Sequence, residues 1–145
     1  MKPSCHHQSP QATNQSMHSI SFSERRSNFK KSIVEATRGF RRILSVERDP
    51  PVNEVLNAGV LPNLVQNLIA NPSDVPLIFA SAWALTNIAS TSRTNVVVES
   101  EAAGPLLRHE NADVREQSAW CLGNIAGDNK EFRDHLLQAG VLDPL

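Results

Sequence analysis

Hydrophobic residues recur along this chain at three- and four-residue steps, and no stretch alternates apolar and polar positions as a half-buried strand does. From Ser32 onward, Ile33, Ala36, Phe40, Ile43 and Leu44 predict one helix face. Asp49-Pro50-Pro51 ends it, because a residue before proline avoids the α region. A short helix is predicted from Asn53 to about Ala58, closed by Gly59, and another over Leu61–Ala70 with Pro62 in its first turn. After a turn at Asn71–Asp74 come a long helix over Leu77–Ser90, a short one over Thr94–Ser100 and a weak one over Ala103–Arg108. Asn111 is placed to cap a further long helix that reaches Ala126 and stops at Gly127; Lys130–Gln138 follows, and a last helix opens at Gly140.

The order short helix, helix, long helix is therefore stated more than once, and the residues repeat with it. Ser81-Ala-Trp-Ala-Leu-Thr-Asn-Ile-Ala89 returns 37 residues later as Ser118-Ala-Trp-Cys-Leu-Gly-Asn-Ile-Ala126, differing only at Ala84/Cys121 and Thr86/Gly123. Ala58-Gly-Val-Leu61 returns as Ala139-Gly-Val-Leu142, 81 residues on, which is two units of roughly forty. At roughly 100° per residue, Asn87 lies about 40° from Trp83 on one face, while Ser81, Ala82, Leu85, Ile88 and Ala89 gather near 200°. Trp120 and Asn124 stand in the same way against Ala119, Leu122, Ile125 and Ala126. Two readings are open: each Trp packs into a neighbouring unit, or the Trp–Asn pairs form a ladder for a ligand. The asparagines favour the ladder. Asn is a poor helix-interior residue, and its amide can hold both the N–H and the C=O of an extended peptide unit.

Charge divides the chain. Residues 1–48 carry nine Lys/Arg against three acids, a balance of +6, and residues 49–145 carry five against twelve, a balance of −7. The acidic body favours cationic partners over nucleic acid. Residues 1–31 are rich in Ser, His, Gln, Asn and Pro and contain no Leu or Val, so they are expected to form a disordered tail. Cys5-His6-His7 lacks the spaced second pair of a zinc site, and the two cysteines suggest no disulfide framework. No metal or other cofactor is expected. A soluble intracellular protein fits the absence of a long apolar run and of a secretory leader.

Phe40-Arg-Arg-Ile-Leu-Ser45, Pro50-Pro51, Ser81–Ser90, Asp113-Val-Arg-Glu-Gln117 and Trp120–Asp128 together resemble the first three armadillo repeats of the importin alpha family, adaptors for nuclear localisation signals. The resemblance implies an all-α, armadillo-repeat, right-handed superhelical solenoid over residues 32–145. About three repeats are expected, near 32–70, 71–108 and 109–145, the last incomplete. It also implies a groove for Lys/Arg-rich localisation-signal peptides of cargo proteins, and residence in cytoplasm and nucleus. Trp83, Asn87, Trp120 and Asn124 match the groove array, and Asp128 matches the acid that takes the most discriminating lysine. Thr94 matches the hydroxyl that helps it, with Ser90 lining the same stretch. Gln117 and Glu116 match polar positions one turn before the second Trp, and Leu44, Ser45 and Glu47 match the groove's far end. Asp128 has a plainer reading as the cap of the next helix, and Glu47 as a solvated charge.

The sequence also departs from the family's pattern. A glycine between Ser90 and Thr91 is absent, and the Trp-to-Trp spacing is about five residues short, at the cost of the loop after Ser90 and the middle repeat's third helix. The family's importin-beta-binding segment is dense in basic residues, of which Arg25, Arg26, Lys30 and Lys31 are at best a remnant. Import by this chain alone is not expected. An enzyme is not expected either, because no base stands beside a nucleophile and His109 and His135 lie in different units. The alternative to an import adaptor is an armadillo scaffold with a different extended partner.

Overall fold

The computed structural model describes residues 21–70, 72–107 and 109–142. They form α1 (Phe22–Leu44), α2 (Val52–Asn57), α3 (Val60–Ala70), α4 (Val75–Ala89), α5 (Thr94–Glu99), α6 (Ala103–Leu107), α7 (Ala112–Asp128) and α8 (Lys130–Gln138), with no strand among the described residues. None of these helices is long and apolar enough to cross a membrane. The tail expected over residues 1–20, with Cys5-His6-His7, and the helix expected beyond Gly140 lie outside the described residues, apart from a turn at Val141–Leu142.

The long helices α1, α4 and α7 lie side by side, α4 between the other two, while α3 and α6 pack against α4 and α7 and against each other. The middle position of α4 explains its composition. Leu77, Ile78, Ala82, Ala84, Leu85, Ile88 and Ala89 are all at most 3% exposed, so buried residues point to nearly every side. Small residues such as Ala82 and Ala84 let neighbouring helices approach on both flanks, and Leu64, Val97, Val114 and Ile125 complete the core. Polar groups in this interior are paired. Ser81 accepts from Asn67 Nδ2 at 3.1 Å, and Ser118 donates to the Val114 carbonyl. Among the described residues no buried side-chain nitrogen or oxygen lacks a partner.

Helix ends follow local chemistry. Asp74, Asn111 and Asn129 accept the N–H of Leu77, Val114 and Phe132 at the starts of α4, α7 and α8. The short helices α2 and α8 each end two residues before a glycine in the left-handed region, Gly59 and Gly140, both at φ 70°. In the middle unit α5 ends in the same way, but the left-handed residue is Glu101, at φ 57°. The middle unit is thus the irregular one, and its α6 has five residues where α3 has eleven.

Two expectations are corrected. α1 starts at Phe22, ten residues before the predicted Ser32, because Ser21 and Glu24 form a reciprocal capping box. Its inward face comprises Ile33, Val34, Thr37, Phe40, Arg41 and Leu44, whereas Ala36 and Ile43 are exposed. Thr37 can turn inward because its hydroxyl donates to the Ile33 carbonyl at 2.9 Å. α7 also runs through Gly127 to Asp128, past the predicted stop, since a helix interior tolerates glycine at a cost of about 1 kcal/mol.

A candidate peptide-binding surface on α4 and α7

α4 and α7 lie against each other and run in register, and each carries one copy of the repeated motif. Burial divides the second copy largely as the angular argument predicts. Ser118, Cys121, Leu122 and Ile125 are buried, Trp120 is 66% exposed, and Asn124 is half-buried one turn further on. Ala119 departs from the predicted stripe and is exposed. In the first copy Ser81, Ala82, Leu85, Ile88 and Ala89 are buried, and Trp83 and Asn87 are half-buried.

The two sequence differences between the copies now have a physical meaning. Thr86 is buried and faces α7, where its hydroxyl accepts from Gln117 Nε2 at 2.9 Å and donates to the Ala82 carbonyl at 2.9 Å. Its carbonyl also accepts from Asn124 Nδ2 at 3.2 Å. Gly123, its counterpart, is exposed, with nothing within 4 Å of where a Cβ would stand. Ala84 and Cys121 are both fully buried. Burial pushes the Cys121 thiol up to about 12, with Thr86 pulling the other way, so it stays protonated and unreactive at neutral pH.

Each asparagine reaches back to the preceding long helix. Asn124 bonds the α4 backbone, and Asn87 Nδ2 donates to Ser45 Oγ at 2.8 Å at the end of α1. Each amide keeps a second N–H and its oxygen for another partner.

The last turns of α4 and α7 meet around an open hollow of about 450 Å³, which Ser90, Thr91, Asn124 and Asp128 line. The last-turn carbonyls of α4 are already paired, Asn87 with Ser90 Oγ, Ile88 with Thr91 Oγ1 and Ala89 with Thr94 Oγ1, so the negative charge at this hollow is that of a side chain. Neither helix has a basic residue in its last turn, and Asp128 adds a full negative charge at the rim. Asp128 is exposed and accepts from Asn129 Nδ2 at 3.1 Å, while the cap of α8 is Asn129 itself. A hollow of this kind suits a cation on an apolar stem. A larger one, about 590 Å³, lies at the opposite ends of the same helices, between Pro72–Val75 and His109–Asn111.

The predicted site residues fall into three groups. Ser90, Asn124 and Asp128 line the hollow, and Trp120 stands two turns before Asp128 on the same helix. Trp83 and Asn87 lie at the seam with α1, and Glu47 is exposed in the loop two residues beyond Ser45. Thr94 and Gln117 lie inside, at 2% and 8% exposure. The Thr94 hydroxyl donates to the Ala89 and Thr91 carbonyls, and the Gln117 amide is held by Thr86. These two support the surface from behind. Sequence reasoning missed Arg41, whose guanidinium lies 4.5 Å from the Trp83 ring centroid. Its spacing of four from Thr37 and three from Leu44 puts it on the inward face of α1 and could have revealed it.

Comparison with known proteins agrees with this architecture. The armadillo/beta-catenin-like repeat family matches residues 104–127. Importin subunit alpha-6 of Arabidopsis thaliana is 48% identical over 114 residues, 75% of this chain and 21% of the relative. Importin subunit alpha-1b of Oryza sativa subsp. japonica is 50% identical over 118 residues, 77% of this chain and 22% of the relative. The chain thus spans about a fifth of the length of these relatives. Among solved structures, a designed armadillo repeat protein in complex with the peptide (KR)4 superposes with a TM-score of 0.71 at 28% identity, over 79% of this chain and 49% of that one. An armadillo repeat protein designed computationally for modular peptide recognition gives 0.72 at 26% identity, over 81% and 50%. The fold is an all-α armadillo solenoid, and the chain belongs to the importin alpha family.

Proposed function

We propose that this chain binds extended, lysine- and arginine-rich peptides of the nuclear-localisation-signal kind across the last turns of α4 and α7, as part of a nuclear import adaptor that works between cytoplasm and nucleus. The observation that carries this reading is the open hollow with the Asp128 carboxylate at its rim and no basic residue in the last turns of α4 and α7, with the Trp120 indole exposed on the same helix as Asp128. One lysine stem can lie along the indole while the ammonium of another, roughly 12 Å along the helix, meets Asp128, and the Asn124 amide keeps groups free for the peptide backbone. The relatives point the same way, being importin alpha subunits, and one structural neighbour was solved with a peptide of alternating lysine and arginine. Importin beta is a further partner on this reading, held weakly through the exposed Arg25, Arg26, Lys30 and Lys31 of α1.

The test is a fluorescence-anisotropy titration of a lysine-rich peptide against a glutamate-rich peptide of equal length. The lysine-rich peptide should bind, and should weaken as salt shortens the Debye length below about 8 Å. Trp120→Ala should weaken binding by about 2- to 30-fold, the range of one cation–π contact. Asp128→Lys should weaken it further, because repulsion replaces attraction at close range. Equal binding of the two peptides, or an Asp128→Lys protein that binds like wild type, would replace this reading with that of an armadillo scaffold for another extended partner.

A further inference from the structure

A cation of the chain's own stands beside the hollow that Asp128 lines. Ser90, Thr91 and Ser92 line that hollow too, and Arg93 is the next residue. The Arg93 backbone is held in place. Its N–H donates to Thr91 Oγ1 at 3.2 Å, and its carbonyl accepts from the Val96 N–H at 3.1 Å in the first turn of α5. The side chain is held at its far end as well, where Nε donates to Asn53 Oδ1 at 2.8 Å in the first turn of α2, forty residues earlier. That bond spends one guanidinium donor on a neutral partner and leaves both terminal nitrogens unpaired among the described residues. Arg93 is exposed, and no carboxylate of the described residues lies within 4 Å of it, the one ion pair there being Arg38–Glu35. Asp128 is likewise without a cation, its hydrogen bond coming from the neutral Asn129 amide. Two opposite charges therefore serve one hollow, and neither neutralises the other.

We infer that Arg93 is a specificity-determining residue that takes a carboxylate of the bound peptide, so that the preferred ligand is a lysine-containing peptide with an acidic residue close to the lysine at Asp128. This rests on the peptide-binding reading above. Asn53 orients the guanidinium, and the two terminal nitrogens can donate a parallel pair of hydrogen bonds to one carboxylate. Because the fork is held before the ligand arrives, less side-chain freedom is lost on pairing. The charge of the rest of the body makes the sign of the effect diagnostic. Residues 49–145 carry a balance of −7, so a carboxylate added to the ligand weakens binding wherever no cation receives it.

The experiment uses the full chain and two series of labelled peptides of equal length, each with two lysines in a Gly/Ser background. One series carries a single glutamate, moved through the background positions in turn, and the other carries glutamine at the same positions. In the wild type, glutamate should bind about 1.5- to 5-fold more tightly than glutamine at one or more positions near a lysine, the range of one exposed ion pair. Raising the salt should shrink that gain. Arg93→Gln should abolish the gain and turn it into the weakening that an acidic surface imposes. Arg42→Gln removes the same charge from an exposed position on α1 and should leave the gain within about twofold. Arg93→Met repeats the measurement should Arg93→Gln fold poorly. Glutamate that weakens binding at every position in the wild type, or a gain that survives the Arg93 substitutions, overturns the inference even while the glutamine peptides bind. Failure of the wild type to bind any glutamine peptide overturns the peptide reading and this inference with it.

Discussion

Glu101 and Thr86 mark where single residues set the stability of this molecule. Glu101 holds a left-handed backbone at φ 57°, in the place that glycine takes after α2 and α8. A non-glycine residue there costs roughly 1 kcal/mol or somewhat more, so Glu101→Gly should stabilise the protein by about that amount. Thr86 is the node between α4 and α7, and its hydroxyl serves Ala82 and Gln117 together. Thr86→Val keeps the shape but leaves the buried Gln117 amide without its partner, which should cost about 1–3 kcal/mol. Urea denaturation of the two variants beside wild type checks both signs. The contrast with Gly123 places the argument at the level of the residue: the same motif position is a junction in α4 and open surface in α7.

At the scale of elements, the start of α1 depends on one carboxylate. Glu24 is held below the ordinary glutamate range, first by the Ser21 backbone N–H that it accepts and then by the Ser21 side chain. A depressed folded-state value means that the capping contribution is fully present above the unfolded-state titration and is lost as pH falls through the folded one. The first turn of α1 should therefore fray below the usual glutamate range while α4 and α7 persist, which amide chemical shifts across an acid titration would record; Glu24→Gln should remove the dependence. The Ser21-Phe-Ser-Glu24 spacing was legible as a capping box, but the polar composition around it argued for disorder and outweighed it. Most of the other elements were legible because local signals agree there: proline and glycine punctuation, capping asparagines, and a three-to-four period on each helix. Trp120 and Asn124 facing away from their helix's core was legible for the same reason. The packing of Arg41 on Trp83 was not, because it depends on how α1 is rotated against α4, a contact between segments forty residues apart. The inward turn of Thr94 and Gln117 was hidden likewise, since a polar residue can be buried wherever a neighbouring helix supplies its hydrogen bonds.

For the molecule as a whole, α4 is the centre on which α1, α3, α5 and α7 converge. A helix enclosed on nearly every side needs no charged face, and from Val75 to Ser92 the sequence carries no ionisable residue at all. What is harmless in the native state becomes a hazard during synthesis or refolding. A long uncharged apolar segment has no gatekeeper charge to prevent self-association before its four neighbours arrive. Refolding from urea should therefore lose yield steeply as protein concentration rises, with light scattering increasing as soluble helix declines. A single lysine at exposed Pro76 or Ser92 should restore much of that yield without altering the native melting curve by more than about 0.5 kcal/mol. The completeness with which α4 is enclosed thus makes this chain's solubility a matter of timing: how quickly the flanking helices reach it compared with another copy of itself.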